Sequence, residues 1–419
     1  MIEIAVFVIL AGLLIVFAHI FAWISSFVAL PDALLLMLLG ILIGPILGIV
    51  TPDFFGDFGA VILTIALVIM LFDGGAAIHV SSLRKTMGGV MRLTVISFVL
   101  ATAGVAVLLS MTTDFPLIIS LMVGAIVGDT TSVVVITLAK RLEITEDVET
   151  TLVLESIFSD VLQVMVVLAL LKAYQGGNLD PISITQSAFL STGLAIIAGV
   201  AVGFAWGHLL NWIRNLRNSM FITLAMAFIV YGAMEILEFS GLIAVLVFGM
   251  TMGSAGILNH YLSSSHRLVA MFIHPLSLSR RERSFFAELV FLLQTFFFVY
   301  IGISMQFTNW AAARLALLTT AALLGLRLIA VHLSVSRTVG VREASLMAVM
   351  IPKGITSVAL VLLLVQAGIP EADFIEDFVV ATILWTIVCT SICIFLLEKT
   401  PLRLVYERLL ANFGKEQPH

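Results

Sequence analysis

Thirteen predominantly apolar stretches follow one another along this chain, at approximately 4–24, 33–50, 58–78, 89–110, 116–139, 149–172, 185–210, 219–237, 240–258, 287–304, 310–335, 342–367 and 374–397. Each approaches the length of about 20 residues that a helix needs to cross a bilayer. In hydrocarbon every backbone N–H and C=O must be satisfied within the segment, so such stretches are confined to helices. The expected fold class is an all-α polytopic membrane protein with about 13 transmembrane helices. Composition agrees, at 61% hydrophobic and 11% charged residues, against roughly 45–50% and 25% in soluble domains. A formal net charge of −5 leaves no basic surface for nucleic acid and no polybasic lipid-binding cluster. The lipid bilayer is the expected partner, and nucleic acid is not.

Charge placement gives the expected orientation. Arg84, Lys85 and Arg92, then Lys140 and Arg141, Arg214 and Arg217, then Arg267, Arg280, Arg281 and Arg283, and Arg337 and Arg342 fall in alternate loops. With Lys399, Arg403, Arg408 and Lys415 they make seventeen of the 21 basic residues on one side. By the positive-inside rule that side is cytoplasmic, which puts the N-terminus outside and the C-terminus inside. The start Met1-Ile2-Glu3-Ile4 has no positive region before its apolar run, so the first span is expected to be retained rather than cleaved. The polar end Asn412–His419 is expected to add no soluble domain, which places the expected function in the membrane part. Segment 259–286 is expected to be a loop with an interfacial helix. Cys389 and Cys393 are expected to pack as small apolar side chains.

Two carboxylates stand inside neighbouring spans, Asp129 in the fifth and Asp160 in the sixth. A carboxylate at mid-bilayer depth costs several kcal/mol unless paired, hydrated or bound to a cation, so two of them suggest an ion site. The fifth span is a poor helix at Gly128-Asp129-Thr130-Thr131-Ser132, and the twelfth at Pro352-Lys353-Gly354-Ile355-Thr356-Ser357. Interrupted helices at matching places in oppositely directed spans point to an inverted-repeat transporter with a midplane site. Ser156 and Asp160 share one face of span six, and Glu155 and Ser159 the adjacent one. Carboxylates, hydroxyls and freed carbonyls suit a hard cation such as Na⁺, and no Cys/His grouping suggests a transition metal. Arg327 lies inside span eleven, and Glu155–Arg327 is the preferred ion pair. Lys353 offsets partial negative charge where the breaks meet. A purely structural role is the competing reading for Glu155 and Arg327. Asp73 is expected to help terminate span three.

Taken together, Leu71-Phe72-Asp73-Gly74-Gly75 with Leu83-Arg84, then Gly128-Asp129-Thr130, Glu155-Ser156, Ser159-Asp160 and Pro352-Lys353-Gly354 resemble the monovalent cation:proton antiporters. Within them the match is to the NhaP-type sodium/proton antiporters of prokaryotes. The resemblance implies an inverted-repeat fold with two crossed broken helices, spans five and twelve. It also implies a homodimer with core helices at about 89–172 and 310–397 and dimerisation helices at about 4–78 and 185–304. It makes Asp160 the cation- and proton-binding carboxylate, completed by Asp129, Ser156 and the backbone of Gly128 to Thr130, with Glu155 held by Arg327. Ser159 stands where relatives carry Asn, or Asp in electrogenic exchangers, which implies electroneutral 1:1 exchange; Thr130 replaces the family's Pro.

The expected function is alternating-access exchange of Na⁺, and also Li⁺, for H⁺ in a prokaryotic plasma membrane, with Asp160 binding either ion and no cofactor. K⁺/H⁺ exchange is the alternative; a cation channel or non-transporting sensor fits the paired breaks less well. An intramembrane aspartyl protease also carries two aspartates in adjacent spans, but Ile126 stands where its Gly-x-Gly-Asp pattern needs glycine, so the chain is not read as an enzyme.

Overall fold

The computed structural model of the protein describes residues 2–27, 31–51, 56–77, 80–131, 144–176, 181–213, 220–237, 239–265, 280–305 and 309–400, with single positions between 134 and 142 and between 408 and 414. Among them are fourteen α-helices. These are α1 (Ile2–Phe27), α2 (Asp32–Ile41, continued by a π-helical turn to Ile46), α3 (Gly56–Ala77), α4 (Val80–Thr112), α5 (Leu117–Ile126), α6 (Glu146–Gly176), α7 (Pro181–Ile213) and α8 (Met220–Ile236). The others are α9 (Gly241–Ser265), α10 (Arg280–Ser304), α11 (Trp310–Ser334), α12 (Val341–Val349), α13 (Ile355–Gln366) and α14 (Ala372–Lys399).

Helix occupies each expected span, and the two expected interruptions are present. α5 stops at Ile126, and span twelve divides into α12 and α13 around Met350–Gly354. The remainder of span five lies largely outside the described residues, as do Lys140, Arg141, Arg214, Arg217, Arg267 and Arg403. Among the described residues six helices are long and apolar enough to cross a membrane: Met87–Thr112, Glu146–Gly176, Gly193–Leu210, Arg281–Ser304, Trp310–Ser334 and Ala372–Glu398. Large apolar side chains exposed along the helices, among them Ile9, Trp23, Val107, Ile197 and Leu318, form an outer surface suited to lipid rather than water. The expected 259–286 loop is shortened at both ends, because α9 continues to Ser265 and α10 begins at Arg280. α3 runs through Asp73 to Ala77, so Asp73 does not end it.

The chain divides into two compact units. The first contains residues 1–60, 88–163 and 292–419. In it α14 is the central post, contacted by α2, α11, α12 and α13, and α5 lies against α13. α2 and α10 meet backbone to backbone: a Cβ on Gly302 would collide with the Met37 carbonyl, and one on Gly40 with that of Val299. Without a hydrophobic drive between helices in lipid, such close approach of small residues is a main source of helix association. Near the end of the chain Gly414 pairs with Gly340, donating to the Arg337 and Val339 carbonyls and accepting from Val341 N. The Arg337 guanidinium lies 4.6 Å from the centroid of the buried Phe413 ring.

The second unit contains residues 61–87 and 164–291. Here α9 packs along α7 and α8. α3 crosses α9 through Gly75, Gly249 and Gly253, each against a backbone carbonyl. Phe72, Phe248 and Phe286 close this core, with ring centroids 5.1 and 4.9 Å from Phe72.

A prediction follows for the first unit. Gly302→Leu forces α2 and α10 apart and costs about 1–3 kcal/mol, read as a lower thermal-unfolding midpoint in detergent. Gly12→Leu, whose added side chain meets open space, leaves the midpoint unchanged.

Candidate functional site

Ending a helix inside a membrane protein strands backbone groups, since its last carbonyls and the following N–H groups lack intrahelical partners. In the first unit the two interruptions satisfy one another. Thr131 N donates to the Pro352 carbonyl at 2.9 Å, and the Lys353 ammonium donates to the Asp129 carbonyl. Pro352 brings no N–H of its own. The neighbouring Ile351 and Lys353 amides donate to Thr390 and Thr386 of α14, at 3.4 and 3.3 Å. Thr130 N donates to the Ser159 hydroxyl of α6 at 2.9 Å. The Ile126 carbonyl, orphaned at the end of α5, accepts from Gln163 and, at 2.8 Å, from Ser357. Only glycine fits at 354, where a Cβ would strike Thr131.

Around this junction stand five buried ionisable groups: Asp129, Glu155, Asp160, Arg327 and Lys353. Glu155 and Arg327 form the expected pair, bidentate at 2.7 and 3.0 Å. Arg327 also donates to the Ser97 hydroxyl at 2.9 Å and to the Met347 carbonyl in the last turn of α12 at 3.1 Å. One guanidinium thus ties α4, α6, α11 and α12 together. Asp129 and Asp160 are both buried at this junction, and each is reached by a hydroxyl from the first turn of α13. Asp160 Oδ1 accepts from the Thr356 hydroxyl at 3.0 Å. Asp129 Oδ1 accepts from Ser357 at 3.3 Å, and Asp129 Oδ2 is buried with no protein donor.

Asp129, Asp160, Thr130, Ser159 and Lys353 therefore meet at one junction. Gly128 precedes it, packed so that a Cβ would lie 2.8 Å from Thr102 Oγ1. Ser156 is buried, but its hydroxyl donates back to Val153 O at 2.8 Å, and among the described residues it makes no hydrogen bond to either aspartate. Thr356, Ser357, Gln163, Ser97, Thr386 and Thr390 take part without having been named as site residues. Their signal in the sequence is position: Gln163 follows Asp160 by one helical turn, and Thr356 and Ser357 follow the second break. Cys389 and Cys393 lie elsewhere on α14 with sulfurs 3.9 Å apart. No group of three or more potential transition-metal ligands occurs among the described residues.

The model of a transmembrane family described as the sodium/hydrogen exchanger matches residues 13–399. The chain belongs to that family. Among curated members it is 27% identical over 59% of its length to a K⁺/H⁺ antiporter, NhaP2, of a Shewanella species (strain MR-4), covering 44% of that protein. It is 28% identical over 43% of its length to Na⁺/H⁺ antiporter 1 of Methanocaldococcus jannaschii, again covering 44%. It thus spans less than half the length of these exchanger relatives. The solved structure of the sodium proton antiporter MjNhaP1 from M. jannaschii at pH 8 superposes with a TM-score of 0.75 at 21% identity, over 93% of this chain and 99% of that one. The exchanger fold is shared.

Removing one member of a buried ion pair leaves the other uncompensated, at about 3–5 kcal/mol. Glu155→Leu and Arg327→Met are each expected to lower the unfolding midpoint sharply. The double variant recovers much of that loss, which a double-mutant cycle of thermal stability measures.

Proposed function

We propose that this protein is a secondary active transporter, not an enzyme, that exchanges Na⁺, with Li⁺ as a further substrate, for H⁺ at Asp160. The observation that carries the reading is the placing of two buried carboxylates, Asp129 and Asp160, where two interrupted helices meet. A cation entering there replaces a proton carried by the two carboxyls. It takes the buried Asp129 Oδ2 and Asp160 as anionic ligands, with the Thr356 hydroxyl and backbone oxygens beside them. Ser156 belongs to the proposed cation site together with Thr130 and Gly128, its hydroxyl turning from Val153 when the site is filled.

Charge counting supports a 1:1 electroneutral exchange. Among the described residues of this unit three buried carboxylates stand against two buried cations, which leaves one negative charge when the site is empty. One proton or one monovalent cation neutralises it. Moving the uncompensated charge past an apolar barrier costs several kcal/mol, so the empty site reorients slowly and the two fluxes are coupled. Helices near 89–172 and 310–397 form the moving core with crossed breaks, and those near 4–78 and 185–304 the dimerisation scaffold of a homodimer. The N-terminus lies outside and the C-terminus in the cytoplasm of a prokaryotic cell, as the distribution of Lys and Arg supports. K⁺/H⁺ exchange is the second reading, favoured by the NhaP2 relatives of that name.

The test is cation-induced dissipation of an imposed pH gradient in proteoliposomes, comparing Na⁺, Li⁺ and K⁺. Wild type is expected to respond to Na⁺ and Li⁺ independently of membrane potential, with a pH optimum flanked by proton excess and proton shortage. Asp160→Asn abolishes the response. Wild type inactive toward all three ions overturns the reading.

A further inference from the structure

The first turn of α13 carries two consecutive hydroxyls that reach different aspartates: Thr356 donates to Asp160 and Ser357 faces Asp129, at 3.0 and 3.3 Å. Ser357 has one proton and two acceptors within reach, the Ile126 carbonyl at 2.8 Å and Asp129 Oδ1 at 3.3 Å. Gln163 decides between them. Its amide nitrogen donates to Ser357 Oγ at 3.1 Å and also to the Ile126 carbonyl. The first bond occupies a lone pair of Ser357 and turns its proton toward an acceptor. The second satisfies the helix-end carbonyl that Ser357 would otherwise have to serve. Gln163 and Ser357 are both fully buried, and Gln163 Oε1 has no donor. An amide in that setting is held by its two donated bonds, because a flip would strand the nitrogen and lose both.

We propose that Gln163 and Ser357 form a positioning relay that sets how strongly the Asp129–Asp160 pair prefers a cation over a proton. When the pair gives up its proton, Ser357 swings its hydroxyl from Ile126 O to Asp129 and supports the ionised carboxylate. Gln163 keeps Ile126 O satisfied during that swing. When the proton returns, Ser357 donates again to Ile126 O. Neither residue holds the ion; both act through Asp129. The relay rests on the exchange function proposed above and adds to it the groups that tune the competition.

The experiment measures Na⁺-dependent proton flux in proteoliposomes across a pH series for wild type, Ser357→Ala, Gln163→Leu, the double variant and Ser357→Thr. Loss of one hydrogen bond to the ionised site is worth about two- to tenfold in the competition. Ser357→Ala and Gln163→Leu are each expected to raise the apparent KM for Na⁺ by that factor on the acid side, moving the acid limb of the profile to higher pH. Maximal rates at alkaline pH stay near wild type. Because the two residues act in series, the double variant shifts no further than the stronger single, and Ser357→Thr, which keeps the hydroxyl, restores the profile. Folding of each variant is checked by its unfolding midpoint, and Gln163→Leu carries the test if Ser357→Ala is unstable. Uniformly lower rates with an unmoved profile, additive shifts, or no shift in either single variant overturn the relay. An inactive wild type overturns the exchange function itself, which separates the two failures.

Discussion

Backbone hydrogen bonding in a medium without water is the constraint from which the rest of this structure follows. A helix broken in the membrane interior must place every freed N–H and C=O against protein or a wet cavity. Here each break supplies partners for the other, through Thr131 N to Pro352 O and Lys353 to Asp129 O, and α14 and α6 take up the surplus through Thr386, Thr390 and Ser159. The junction is satisfied only when both interrupted segments are present together. Its geometry is therefore held by mutual dependence rather than by the continuity of either helix.

That arrangement determines where charge can stand. Carboxylates at the breaks sit among oriented dipoles and one ammonium, an environment no uninterrupted apolar helix offers. Arg327 serves a separate purpose, fastening α4, α6 and α12 to α11 and neutralising Glu155 as it does so. With that pair closed, the remaining ionisable groups are two aspartates and one lysine, and the pair of aspartates is left with a single charge for a mobile ion to balance. A neutralised site can move through a low-dielectric barrier where an ionised one stalls. In the proposed exchange, coupling of two opposed fluxes follows from this electrostatic rule.

The charged skeleton was legible in the sequence because each member is a costly residue in an apolar run. Asp129, Asp160, Glu155, Arg327 and Lys353 announce themselves by their position, and Arg327 has an obvious counter-ion in Glu155. The breaks were legible too, since Gly128, Pro352 and Gly354 weaken a helix wherever they occur. The hydroxyl partners were not. Ser and Thr in transmembrane helices commonly donate to their own helix, as Thr382 does to Phe378 O and Ser391 to Ile387 O. Nothing in the local sequence distinguishes them from Thr386 and Thr390, whose hydroxyls accept from the backbone of the break, Thr386 while still donating to Ile383 O of its own helix. Ser156 illustrates the converse: its spacing places it on the face of Asp160, yet its hydroxyl bonds back to Val153. Side-chain choice between a neighbour and its own helix is settled by packing, which spacing does not encode.

The count of protons released as a cation binds tests the single uncompensated charge most directly. Isothermal titration calorimetry of the purified protein with Na⁺, repeated in buffers of different ionisation enthalpy, yields that number from the slope of heat against buffer enthalpy. At a pH where the site is protonated, one proton released per Na⁺ bound is the predicted result. Binding with no proton release, or with two, contradicts a single charge that either one proton or one cation balances.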